Sequence, residues 1–267
     1  MQRQPAVAGQ FYPGSNSQLR ADLSHLIVEN RTPKQVMGII SPHAGYMYSG
    51  AIAGQVFSHI TIPSTVLIIG PNHHGVGASA ALYPEGEWLT PLGTTAINSR
   101  LNALLLQHGP YFKCDTVAHQ KEHSLEVQLP FLQYLRPDVT ISAICIGHGD
   151  YAPLRDIGRG IAAAIQEFGD DVLIVASSDM THYESADLAR SKDELALERA
   201  LALDGKGLLD VCRLKNITMC GVVPATVMLE AVLQRGASQA ELVAYGTSGD
   251  VTGDNRQVVG YAALTVS

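Results

Sequence analysis

Six short apolar runs recur along the chain: "QVMGIIS" (35–41), "STVLIIG" (64–70), "DVTISAICIG" (138–147), "DVLIVAS" (171–177), "ELVAYG" (241–246) and "VVGYAALTV" (258–266). Their brevity and β-branched content predict strands, and their lack of polar alternation predicts burial on both faces. Between them lie segments with apolar residues at helical spacing. Residues 15–30 place Leu19, Leu23, Leu26 and Ile27 on one face, after Ser and Asn suited to a cap. Residues 122–135, 153–168, 185–203 and 220–236 follow the same spacing, the last ending on a glycine suited to a helix C-terminus. The stretch "ALYPEGEWLTPLGTTAI" (81–97) is predicted as a hairpin beside the main sheet. Strands alternating with helices predict an α/β fold, three-layered, with a mixed and largely parallel sheet covered on both faces. No linker, repeat or low-complexity segment divides the pattern, so one domain is expected over residues 1–267.

In open α/β sheets ligands bind beyond the carboxyl ends of the strands, so the residues that follow each run carry the interest. "SPHAGYMYSG" brings His43 after the first run, "PNHHG" brings His73 and His74 after the second, and "SDMTHY" brings Asp179 and His182 after the fourth. "AHQKEHSLEVQ" adds His119, His123 and Glu126 near a predicted helix start. "NITMCGVVPATVML" puts Cys220 where a loop becomes a helix, a place that favours the thiolate. Imidazoles with one anionic ligand would make a mononuclear iron, copper or zinc site, the third ligand being Cys220, Asp179 or Glu126.

Each residue also has a plainer reading. His43 could stabilise its loop, and only one of two adjacent histidines is expected to face inward. Asp179 and His182 could cap the helix that begins near Ser185, and Cys220 could be a small buried apolar residue. His25 and His59 fall on helical patterns, and His108 precedes Gly109 at a helix end. His148 follows the third run, and Cys114, Cys145 and Cys212 are read as structural.

Composition narrows the function class. A net charge of −7 with no long basic run argues against nucleic acid or an anionic membrane as partner. No run approaches ~18 apolar residues, so no membrane helix is expected. The opening "MQRQPAVAGQFYPG" lacks a signal-peptide core, and four cysteines without a CxxC pair suit reduced thiols. Together these predict a cytoplasmic protein. "GTSGDVTGDNRQ" (246–257) has neither dinucleotide nor P-loop spacing, and no GxSxG elbow occurs.

Seven stretches, "AVAGQFYPG", "PHAGYMYSG", "GPNHHG", "EHSLEVQLPFL", "SSDMTHY", "MCGVVP" and "GYAALTV", occur in the order seen in the Memo family, and the chain resembles that family from about residue 5 to its end. Bacterial and archaeal members are called AmmeMemoRadiSam system protein B. The resemblance implies a fold similar to class III extradiol dioxygenases, with non-haem iron(II) in a cleft at strand ends. It implies His43, His73 and Cys220 as metal ligands, with Asp179, His182 and His123 in the pocket as catalytic residues. His182 would act as acid/base and Asp179 would orient it. A cysteine stands where the dioxygenases carry a carboxylate, a more electron-donating and oxidisable ligand. The implied function is a redox enzyme using iron(II), with copper or zinc as other metals and a small molecule or peptide as substrate. Two other functions follow from the resemblance. One is a peptide- or protein-binding module using the same cleft without turnover. The other is an accessory role beside AMMECR-type and radical SAM partner proteins.

Overall fold

The computed structural model describes residues 1–28, 32–109 and 111–267. Its main sheet is built on four parallel strands: β2 (Gly38–Ser41), β9 (Val172–Ser177), β3 (Thr65–Pro71) and β8 (Thr140–Ile146), adjacent in that order. Antiparallel strands flank this centre. β12 (Val258–Val266) pairs β2 and carries β10 (His182–Glu184) and β11 (Ala240–Thr247), while β4 (Ala80–Leu82) pairs β8 and in turn β7 (Lys113–Cys114).

The uninterrupted apolar runs have a simple cause. Alternate residues of each central strand enter opposite cores, so neither parity may be polar. Leu67 and Ile69 join one core, whereas Val66 and Ile68 join the other; Ile174 and Ala176 oppose Leu173 and Val175 in the same way. The first core is closed by α3 (Ser99–His108), α5 (Tyr151–Phe168), α6 (Ala186–Leu201), α7 (Gly205–Lys215) and α8 (Val222–Gln234). The second is closed by α1 (Asn16–Leu26), α2 (Tyr46–His59) and α4 (Leu129–Leu135). This is the predicted α/β/α arrangement with a mixed, centrally parallel sheet. No helix among the described residues is long and apolar enough to cross a membrane.

Local departures from the predicted elements have physical reasons. The helix expected over 15–30 closes at Leu26, and Glu29 and Asn30 lie outside the described residues. The helix expected from residue 122 starts only at Leu129, after a 3₁₀ turn at Glu126–Gln128. There the Glu122 carboxylate accepts the Ser124 N–H, the Arg3 guanidinium donates to the Glu122 carbonyl, and Pro130 suits a first helical turn. The expected hairpin forms as β5 (Glu87–Thr90) and β6 (Gly93–Ala96), which with β1 (Gln2–Arg3) make a separate three-stranded sheet. Its first residues instead enter the main sheet as β4.

Register decides what the strand ends bring together. Ser41 stands beside Ser177, and Ile69 beside Ala176. The loops after β2, β9 and β3 therefore emerge side by side, carrying His43, Asp179 with His182, and His73.

Candidate metal centre

His43 leaves β2 through Pro42 and is 2% exposed. Its backbone N–H donates to Asp179 Oδ1 at 2.7 Å, and its Nδ1 lies 2.9 Å from Ser177 Oγ. The serine's single hydroxyl proton goes to the Ser124 carbonyl at 2.6 Å, and its oxygen also accepts from Gln128 Nε2 at 2.8 Å. Nδ1 must then carry the imidazole proton. Nε2 keeps its lone pair and lies 3.1 Å from Cys220 Sγ. Burial first, then the neighbouring His123 and His73, hold His43 well below the ordinary histidine range, so the ring is neutral and able to bind a metal.

His73 hangs on one carboxylate. Its N–H donates to Glu122 Oε2 and its Nδ1 to Oε1, both at 2.8 Å. His123 Nδ1 lies 3.6 Å from the same Oε1, and the two imidazoles stack with centroids 4.8 Å apart and planes 18° from parallel. Both rings thereby direct Nδ1 at Glu122 and leave Nε2 free. Burial first, partly opposed by Glu122, pulls His123 down to about 4. His43, His73 and His123 present ligand atoms within 4.8 Å of one another, and the cluster could hold a metal ion. His74 turns outward, its Nε2 at the Lys121 carbonyl 3.0 Å away.

Cys220 reaches the group by a close backbone approach. The Asp179 N–H donates to its sulfur at 3.2 Å, and the Gly221 N–H donates to Ser178 Oγ at 3.0 Å. A Cβ on Gly221 would lie 2.3 Å from the Ser177 carbonyl oxygen, so only glycine fits there. The helix-start argument for a thiolate fails within the protein's own field. Burial first, and Asp179 next, push the thiol well above its usual value. A cation would reverse this, since a coordinating thiol is deprotonated outright.

Asp179 is itself held up to about 6, burial outweighing the His43 and Ala44 N–H donors. His182 is oriented by Thr218 rather than by Asp179, whose carboxylate already serves the His43 backbone. The His182 N–H donates to Thr218 Oγ1 at 2.7 Å, and Nδ1 lies 3.0 Å from the Thr218 carbonyl. A carbonyl only accepts, so Nδ1 is protonated and Nε2 is the basic nitrogen. Thr218→Val should cost about 1 kcal/mol by orphaning one backbone donor, yet leave the His182 tautomer unchanged. Denaturant unfolding and ¹⁵N shifts of the ring check both halves.

Glu126 and His119 stand apart from the cluster. The Glu126 carboxylate is filled by Arg3 at 2.6 Å, the Tyr12 hydroxyl at 2.7 Å and the N–H groups of Ala6 and Val7 at 2.7 and 3.0 Å. This clamp holds the N-terminal segment so that Phe11 packs on His123 with centroids 4.9 Å apart. His119 is a core residue between Tyr83 and Trp88, bonded to the Ala81 carbonyl. Glu122, Thr218, Ser177 and Phe11 escaped the sequence reading. Glu122 stands beside His123 in "EHS", Ser177 opens "SSDMTHY" and Phe11 lies in "AVAGQFYPG", so of the four only Thr218 falls outside the seven stretches.

His43, His73, His123, Asp179, His182 and Cys220 all line one cleft of about 1030 Å³. An α/β/α protein with three imidazoles and a thiol gathered in a cleft beyond its parallel strands belongs to the class with a site fit for a metal ion. The model of the family described as "Memo-like protein" matches residues 3–265. A MEMO1 family protein of Methanopyrus kandleri is 40% identical over 278 residues, covering 99% of this chain and 98% of that protein. One from Aquifex aeolicus is 42% identical, with 98% of each covered. The crystal structure of an uncharacterized protein from Escherichia coli K12 shares the fold at a TM-score of 0.59 and 14% identity, covering 86% of this chain and 100% of that one. The chain belongs to the Memo family.

Proposed function

We propose that the cleft is a mononuclear metal centre serving redox chemistry, with His43, His73 and Cys220 as ligands, His123 adjoining them, and iron(II) as the ion ahead of copper or zinc. One observation carries the reading. The lone pair of His43 Nε2 and the Cys220 sulfur lie 3.1 Å apart at one end of a three-imidazole cluster. Two donors at the ~2.0–2.1 Å and ~2.3 Å typical of zinc–nitrogen and zinc–sulfur bonds, set at about a right angle, are separated by ~3.1 Å. The donor set fits. Ser177 and Glu122 support it from behind by fixing both imidazole tautomers, as ligating histidines require.

Bound there, iron(II) would supply a Lewis acid and a one-electron couple at its remaining coordination positions. The chain's own residues do the rest. His182 Nε2 accepts a proton from a substrate hydroxyl, its ring kept in place by Thr218. Asp179 holds the His43 backbone and tunes the Cys220 sulfur beside it. Phe11 and Tyr261 exclude water from the wall. The reading carries with it the cytoplasmic setting and the small-molecule or peptide substrate expected from the sequence.

A second reading, a module that seats a peptide without turnover, draws on Met47 and Tyr183, which line the cleft yet are 71% and 73% exposed. Anaerobic loading followed by metal quantification and oxygen uptake tests the proposal. Wild type should take up a single iron per chain and consume oxygen with a reductant, and His43→Ala and Cys220→Ser should lose the iron. Absence of iron, copper and zinc alike from wild type, or variants that load like it, would overturn the metal centre. Iron uptake with no oxygen consumption would favour the binding module.

A further inference from the structure

At the opposite end of the central strands from the metal centre lies a second hollow of about 670 Å³, within the ~300–1,000 Å³ span of small-molecule sites. The segments that enter β2, β3 and β9 supply its apolar surface, Met37, Ile62 and Val172, the last two buried. Two arginines line it as well, Arg136 at the end of α4 and Arg235 at the end of α8. A cation there complements the helix dipole, which would suffice if each side chain turned back on its own last carbonyls. Neither does. Arg136 Nη1 donates to the Ile62 carbonyl at 3.0 Å and Arg235 Nη1 to the Val172 carbonyl at 3.3 Å, both on strand entries.

Those carbonyls leave most of each guanidinium unfilled, since the group carries five N–H donors. Arg136 Nε is buried without a hydrogen bond, although Asp138 Oδ1 stands 3.2 Å away. Arg235 is half-buried and forms no ion pair among the described residues. Burial draws its guanidinium below the ordinary arginine value, and Asp171 offsets only part of that. The negative groups lie further out. Asp170 and Asp171 are exposed, Asp170 with Arg100 at 3.2 Å, and the Asp138 side chain is 74% exposed against 35% for Arg136. The Ser267 carbonyl oxygen already accepts the Ser238 and Gln239 N–H groups at 2.9 and 3.0 Å. Water screens such exposed charges more than it screens the two guanidiniums beneath them. Half-buried donors that the chain leaves unpaired suit a group with several acceptor oxygens, and the planar fork of arginine matches phosphate and carboxylate.

We infer that this second hollow binds a small organic anion, its phosphate or carboxylate head taken by Arg136 and Arg235 and its body lying on Ile62 and Val172. The exposed Gln35, Thr61 and Ser64 offer polar groups to that body from the same lining. The site shares no lining residue with the metal cleft and stands whether or not a metal binds there.

Calorimetric titration of the full chain with adenosine 5′-monophosphate, citrate and uncharged adenosine tests the inference, on protein freed of metal so that citrate has no ion to chelate. At least one of the two anions should bind about tenfold or more tightly than adenosine, and the tighter of them names the head group. Arg136→Gln and Arg235→Gln should each weaken that anion about tenfold or more. Arg235→Lys keeps the charge without the fork and should weaken it less. Asp171→Asn should tighten it about two- to threefold by removing a nearby exposed negative charge. Thermal unfolding of each variant shows whether it is folded; if Arg136→Gln or Arg235→Gln is not, Arg235→Lys and Asp171→Asn decide. Adenosine binding as tightly as the anions would overturn the inference, as would anion binding that none of these substitutions changes. So would silence from every probe up to ~10 mM. Anion binding lost in Cys220→Ser but kept in the arginine variants would place it in the metal cleft and equally overturn the site.

Discussion

Glu122→Ala should cost about 3–5 kcal/mol of folding stability at neutral pH and weaken metal affinity by about 10–100-fold. The carboxylate has no exposed surface and receives the His73 N–H and Nδ1–H at 2.8 Å and the Ser124 N–H at 3.0 Å. Removing it orphans one buried donor, the Ser124 N–H, and two part-buried ones on His73. It also frees the His73 and His123 rings to rotate, and with them the nitrogens offered to a metal. The stability effect has a definite pH sign. Burial alone would raise this carboxyl, but the hydrogen bonds from His73 and Ser124 hold it well below the usual range. A depressed folded-state value means stabilisation that is fully present above the unfolded value of 4.5 and fades as acid protonates the group. The gap between wild type and variant should therefore narrow from pH 7 toward low pH in urea titrations. Glu122→Gln keeps one acceptor oxygen, so it should retain more stability than alanine while still losing metal affinity. Chelator-competition titration showing wild-type affinity in both variants would remove Glu122 from the centre.

Gly221→Ala should destabilise the fold by about 1–3 kcal/mol and release bound metal. The backbone there has φ −96°, so strain in φ is not the reason. The new methyl would meet the Ser177 oxygen at 2.3 Å and Ser178 Cβ and Cα at 2.4 and 2.7 Å. These are backbone and first side-chain atoms that cannot rotate away. Either the end of β9 or the start of α8 must shift, and Cys220 is carried with it away from His43. Gly147→Ala is the control, since its Cβ would find the nearest atom at 3.8 Å; it should change stability by no more than ~0.5 kcal/mol. Thermal unfolding and metal quantification on both variants decide the matter. Gly221→Ala with wild-type stability and wild-type metal content would show that the close approach does not hold the sulfur in place.

The parts of the site that were legible in the chain are those whose chemistry is local. His43, His73 and Asp179 each follow an apolar run directly, so strand prediction and the rule for ligand position sufficed to gather them. That one of His73 and His74 would turn outward was also legible, because adjacent residues rarely share a direction; the family resemblance, not the local pattern, pointed to His73 as the inward one. Glu122 and Thr218 were not. Glu122 was read as the first residue of a helix, because nothing in "EHSLEV" announces that its carboxylate will take the Ser124 N–H. Thr218 orients His182 across 36 residues of sequence, and no periodicity encodes such a pair. The sense of the Cys220 shift was misread for a related reason. A helix start lowers a thiol pKa only where desolvation does not exceed it, and desolvation depends on every element packed around the sulfur.

The alternation of short β-branched runs with amphipathic segments determined the layered architecture. It did so because each run must satisfy two cores, and each helix one, whatever their final arrangement. Motif order was enough to indicate the family. Tertiary structure alone decided that β2, β9 and β3 lie side by side, and so that His43 meets Cys220 from 177 positions away. It alone placed one buried carboxylate beneath two imidazoles. Periodicity is a property of neighbours along the chain. Convergence depends on strand order and register, which are set by how all the layers pack at once.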